Sequence, residues 1–210
     1  TGGKLDLAGY DETINGLSGN GAIDNLTNAN STNTLTVGDG NADALIFSGA
    51  ISNTTGEISL LKTGSGIQTL SGLNTYGGTT TVSGGTLLIN GNQSGAAGAV
   101  QVNSGTLGGT GTIGGAVTIA ATGTIAPGAV GSIESLDVAA TTTITGTFAC
   151  DIDGATTDQL AITGDLVLTG STLSVNPITP GTAGSYVIAT YTGSRTGVLG
   201  GSLPAGYSVN

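Results

Sequence analysis

Two acidic turns hold most of the side chains in this sequence that could do chemistry. Asp39-Gly40-Asn41-Ala42-Asp43 places oxygen-bearing side chains at alternate positions, the spacing of a calcium loop. It has Ala44 where such loops use glycine, and Ala50 where they use a bidentate glutamate. Asp151-Ile152-Asp153-Gly154, with Asp158 shortly after, forms a second acidic turn. Asp39, Asn41, Asp43, Asp151, Asp153 and Asp158 are therefore the candidate calcium ligands. The competing reading assigns these oxygens to the backbone N–H groups of their own turns, as Asp and Asn do routinely. That reading is favoured here, so no cofactor is expected, and calcium is the one ligand the spacing admits.

Other chemistry has fewer means. The chain has no histidine, which excludes Ser-His-Asp and Cys-His catalysis and histidine-based metal centres. Glycoside hydrolysis needs two facing carboxylates. Glu134, Asp137, Asp151, Asp153, Asp158 and Asp165 cluster in sequence, but nothing selects two of them. Cys150 is the only cysteine, flanked by acidic residues that disfavour a thiolate, and reads as a small buried hydrophobe. No catalytic residue is assigned, and an enzyme is not expected.

The elements that must position these residues follow from composition and spacing. Charged residues make up 8% of the chain, against about 25% in an ordinary domain. The 40 glycines stand among Thr, Ser, Asn, Val, Ile and Leu, a mixture suited to many short strands joined by tight turns. Net charge is −10, with Lys4, Lys62 and Arg195 the only basic residues. Nucleic-acid binding, which needs several cations to neutralise phosphates, is excluded. No apolar run reaches the ~20 residues of a membrane-spanning helix, so no membrane insertion by this segment is expected.

Repeats carry the fold. Val100-Gln101-Val102 through Leu107, Val117-Thr118-Ile119 through Ile125, Leu136-Asp137-Val138 through Ile144, and Leu166-Val167-Leu168 through Leu173 share one pattern. Apolar residues alternate, a small-residue corner follows, and another apolar residue closes the unit. Val82, Val102, Ile119 and Val138 mark a recurrence of about 20 residues, which suits one solenoid rung and is too short for a helix pair. Two longer echoes set Gly2-Gly3-Lys4-Leu5 against Gly84-Gly85-Thr86-Leu87, and Leu17 to Ile23 against Leu107 to Ile113. The expected architecture is all-β, a right-handed parallel β-helix of ten or so rungs over residues 1–145. Residues 146–210 are expected to form a less regular β region, either solenoid continuation or a docking cap.

Leu60-Leu61-Lys62-Thr63-Gly64-Ser65-Gly66-Ile67-Gln68-Thr69-Leu70-Ser71-Gly72-Leu73-Asn74-Thr75-Tyr76-Gly77-Gly78-Thr79-Thr80-Thr81-Val82, continued by Gly84-Gly85-Thr86-Leu87-Leu88-Ile89-Asn90-Gly91, resembles a known repeat. It is similar to the autotransporter-associated β-strand repeat, also called the passenger-associated transport repeat. The resemblance implies a β-helical region on a secreted or surface-displayed bacterial protein, without catalytic residues. It also implies that Lys62 is an ordinary outward residue.

No charged side chain stands anywhere between Lys62 and Glu134, far below the surface charge of a free-standing soluble domain. Such a rod tolerates close neighbours, and no amphipathic helix reads as an end cap. The expected function is a structural, self-associating fibre, layer or stalk, whose main partner is other copies of itself. An adhesin segment that contacts surface polysaccharide is the alternative, and a polysaccharide-acting enzyme the third reading. Thr79-Thr80-Thr81 and Thr141-Thr142-Thr143 would suit an ice-matching face only if their rungs stack in register; β-propensity is the simpler reason for them.

Overall fold

The computed structural model describes residues 3–27, 29–179 and 184–201. Among them there is no helix, and the strands stack in parallel as a β-solenoid of about seven turns. Each turn runs across three faces. The first face carries Glu12–Ile14, Thr32–Val37, Glu57–Lys62, Thr80–Val82, the start of Val100–Gly109 and of Val117–Pro127, Thr142–Ile144, Leu166–Leu168 and Arg195–Thr196. The second carries Leu45–Phe47, Ile67–Leu70, Thr86–Ile89, the far halves of the two long strands, Thr147–Asp153 and Thr172–Pro177. Because Val100–Gly109 and Val117–Pro127 pass unbroken around the corner, these two faces join into one 15-stranded sheet. The third face is split into a 3-stranded and a 5-stranded sheet.

Alternation along each strand sends one row inward, where it stacks on the same row of neighbouring turns. On the first face Ile14, Val37, Lys62, Val82, Val102, Ile119, Ile144 and Leu168 share one inward column. On the second, Leu45, Gln68, Leu87, Leu107, Ile125, Phe148 and Leu173 share another. Cys150 lies two residues beyond Phe148, buried in the core. Burial pushes its thiol pKa up to about 12, with the Asp158 and Asp151 charges adding to the shift.

Three expectations of phase are corrected. Ile119 stacks on Ile144, and not on Val138. Val138 stands on the third face between Ile113 and Ile162. The misreading has a physical cause: the excursion between the second and third faces lengthens at residues 128–134, so Leu136-Asp137-Val138 belongs to the preceding turn. The echo of Lys4-Leu5 in Thr86-Leu87 is not structural either. Lys4–Asp6 pairs with Ala22–Asp24 on the third face, whereas Thr86–Ile89 lies on the second. Ten rungs become about seven turns, because several turns are longer than the recurrence at Val82, Val102 and Ile119 implies. The steps from Ile14 to Val37, from Val37 to Lys62 and from Ile119 to Ile144 all exceed the step from Lys62 to Val82.

One first-face column gives a stability test. Leu60, Thr80, Val100, Val117, Thr142 and Leu166 stack inward. Thr80 shares a 2.7 Å hydrogen bond with the buried Tyr76 hydroxyl, whereas the buried Thr142 hydroxyl has no hydrogen-bond partner. An unpartnered buried hydroxyl costs about 1–3 kcal/mol. Thr142→Val is expected to raise Tm by about 2–12 °C in thermal unfolding followed by circular dichroism. Thr80→Val, the same exchange in the same column, is expected to lower it.

Candidate functional site

Four buried polar side chains, Lys62, Gln68, Thr69 and Asn74, fall within one turn. Lys62, on the inward column between Val37 and Val82, has 1% of its surface exposed. The expectation of an outward lysine is therefore wrong. The strand register that turns Leu60 inward also turns Lys62 inward, and Leu61 points out. Its Nζ donates to the Thr63 carbonyl at 2.6 Å and the Gly84 carbonyl at 3.3 Å. Burial lowers its pKa below the usual lysine value, with the Asp43 carboxylate opposing that shift. The corner it fills needs glycine: Gly85 has φ +61°, and a Cβ there would lie 2.3 Å from the Gly66 carbonyl and 2.8 Å from Nζ.

Gln68 acts over a longer reach. It occupies the inward position between Leu45 and Leu87. Its side chain accepts from the Leu17 N–H at 2.8 Å and donates to the carbonyls of Leu17, Leu45 and Thr69. One amide thus serves backbone groups of its own turn and of the two turns before it. Asn74 does similar work at the gap in the third face. It accepts from the Ile51 N–H at 2.8 Å through Oδ1 and donates to the Gly72 carbonyl through Nδ2, while its own N–H donates to the Asn92 carbonyl. Where no strand bridges the two third-face sheets, Asn74 supplies the missing hydrogen bonds. Tyr76 packs at the next corner, fully buried, and burial raises its phenol pKa to about 12.

Residues 60–89 match the family model of the passenger-associated-transport-repeat. No curated protein and no solved structure matches the chain. In this fold the passenger-associated transport repeat supplies the first two faces of two successive turns and the corner between those turns. Lys62, Gln68, Asn74, Tyr76 and Thr80 all lie in it, and the first three use their side chains to satisfy backbone groups. The chain thus combines a β-solenoid with a repeat of the kind found in autotransporter passengers.

The two acidic turns are placed differently. Asn41 Oδ1 accepts from the Ser65 N–H and hydroxyl, and Asp43 Oδ1 from the Ile67 N–H at 2.9 Å, so both stitch their loop to the following turn. Asp39 is exposed in that loop. In the second turn the structure brings Asp151, Asp158 and Glu134 together. Asp158 accepts from the backbone of Glu134 and Asp151, both at 2.9 Å. Asp151 accepts from the Asn176 amide at 2.7 Å, and Asp153 from the Thr179 hydroxyl. Burial raises the Asp158 pKa, the two backbone bonds oppose this, and the Asp151 and Glu134 charges add to it. Among the described residues no group of three or more His, Cys, Asp or Glu side chains is arranged to hold a metal ion. Another polar knot was not foreseen from sequence. Burial alone would raise the Asp24 pKa, but hydrogen bonds from Thr54, Lys4 and Asn25 outweigh it and hold the carboxyl low.

The outer rows are largely threonine. On the second face Thr86, Thr106, Thr124, Thr147 and Thr172 stack in register on five successive turns. On the first face the outward column runs Thr13, Thr36, Leu61, Thr81, Gln101, Thr118, Thr143, Val167 and Thr196. Within Thr79-Thr80-Thr81 and Thr141-Thr142-Thr143 the middle residue points inward.

The lysine supplies a test with a definite sign. A group with a depressed folded pKa binds more protons when unfolded, so stability rises with pH between its folded value and 10.5. Cys150 and Tyr76, raised to about 12, act oppositely and erode stability above their ordinary values of 9.0 and 10.0. The difference between wild type and Lys62→Met isolates the lysine. Lys62→Met is expected to be the more stable protein at pH 7, with that advantage shrinking toward pH 10.5 in urea unfolding curves. An advantage constant with pH would contradict it.

Proposed function

We propose that this chain is a non-catalytic structural rod of the bacterial cell surface or extracellular space, built to lie against copies of itself in a fibre, layer or stalk. The observation that carries the reading is the burial of Lys62. With its ammonium inside the solenoid, the outer surface is free of charge from residue 58 to residue 133, a longer stretch than the sequence suggested. Over those turns the rod presents Thr81, Gln101 and Thr118 on one face and Thr86, Thr106 and Thr124 on the next. β-Branched threonines are stiff at χ1, so such rows lose little side-chain entropy on contact, and no charge has to be desolvated. The passenger-associated transport repeat supports the surface location, since it is associated with autotransporter passengers.

The experiment is sedimentation velocity of the purified chain over a concentration series, paired with negative-stain electron microscopy. Concentration-dependent assemblies with aligned rods are expected. The double variant Thr106→Lys/Thr118→Lys places two charges on the neutral faces and is expected to disperse them, with the circular-dichroism spectrum unchanged. Wild type that stays monomeric at the highest concentration, or a double variant that assembles as wild type does, would sink the reading.

A further inference from the structure

The outer side of the third face holds a groove that neither the repeat nor the assembly reading uses. Thr112, Asp137, Ala161 and Thr190 form its outward column, stacked turn on turn. Ala139, Thr163 and Thr192 follow these strands and are held by backbone bonds to Ile113, Val138 and Ile162. Alanines at 139 and 161 end at Cβ, so the floor drops between the taller side chains around them. The result is a concavity of about 400 Å³, within the ~300–1,000 Å³ of small-ligand clefts. Thr190 closes its outward column at the last turn, while Tyr191 stacks under Ile162 on the inward side.

Asp137 marks the groove as more than a gap. Aspartate is disfavoured inside strands, yet this one sits in Ser135–Val138, outward and exposed. Asp6, Asp11, Asp24, Asp43, Asp151, Asp153, Asp158 and Asp165 all accept hydrogen bonds from the protein. Asp39 lies in an exposed turn, where aspartate is at home. Asp137 accepts none among the described residues, and it caps no turn. A residue that breaks the local rule without a structural return is where function is expected.

The lining states the ligand class. No Lys or Arg borders the groove, so an acidic ligand would meet an uncompensated carboxylate. The carboxylate accepts two O–H groups at once, the threonine hydroxyls both donate and accept, and the methyl groups of Ala139 and Ala161 offer a small apolar floor. Vicinal hydroxyls on a ring with an apolar face fit all three. We propose that this groove binds a neutral hexose unit of a surface polysaccharide, with Asp137 accepting from a pair of sugar hydroxyls, Thr163 and Thr190 bonding the rest, and the Ala139 and Ala161 methyls lying under one ring face. The site lies on a different face from the threonine rows, so it stands or falls independently of self-association.

The test is isothermal titration of the whole chain with cellohexaose, maltohexaose and mannohexaose, with hexagalacturonate as the acidic comparison. Saturable binding of at least one neutral hexamer is expected, with Kd on the order of 1 mM or tighter. Asp137→Ala is expected to weaken it about tenfold or more, a change of about 1.4 kcal/mol. Ala161→Leu, which fills the floor from an outward position, is expected to abolish it. Ile46→Thr, at an exposed position on the second face outside both the groove and the threonine rows, is expected to leave it unchanged. Circular dichroism and Tm identify any variant that fails to fold, and the two groove variants then check each other. No saturable heat with any neutral hexamer, tighter binding of hexagalacturonate, or full binding by folded Ala161→Leu would each overturn the proposal.

Discussion

Parallel backbone pairing in strict register, at about 4.8 Å per turn, is the constraint on which the rest of this molecule depends. It forces each residue to sit over a counterpart, so side chains are selected by column and not singly. An inward column tolerates Val, Ile, Leu and Phe in any order. A polar residue entering it is destabilising unless it finds partners: Lys62, Gln68 and Asn74 find them in the backbone of their own and neighbouring turns, whereas the Thr142 hydroxyl does not. The outward rows are freer, and threonine fills them because it suits a pleated surface.

The departures from regular pairing and the buried polar groups answer each other. Asn74 sits where the third face has no strand to bridge its two sheets. Gln68 bonds to the backbone of Leu17 two turns away. Asp158 ties the strand at Asp151 to Glu134, beside the hairpin formed by Ile152 and Thr157. In each case a side chain does what the ladder cannot, which is why so few charged or amide residues recur among so many neutral ones.

Much of this was legible in the sequence. The alternation at Val100-Gln101-Val102 and Val117-Thr118-Ile119 places two first-face strands correctly, and the corner glycines set the small-residue breaks. The match of Leu17 and Ile23 to Leu107 and Ile113 places equivalent columns far apart in the chain. What fails does so for want of a third coordinate. Spacing alone does not say which face a strand lies on, so it sets Val138 in the wrong column. Side-chain type alone does not say inward or outward, so it sets Lys62 at the surface. The acidic turns are found by residue type, but whether their oxygens face solvent or the next turn depends on stacking that no single turn encodes. In the sequence Asp137 is only one of six carboxylates; its lack of a structural task shows only when the other five are seen bonded.

A stack of turns that touch only their neighbours behaves as a chain of links, each adding its own increment of stability. The Gln68 side chain breaks that arithmetic, because it joins a turn to the one two steps away, 51 residues back. Its hydrogen bonds tie three turns together, so these are expected to open more cooperatively than turns joined by the ladder alone. Under tension along the rod axis, that block is expected to be the stiffer segment and the first join to open is expected to lie elsewhere in the stack.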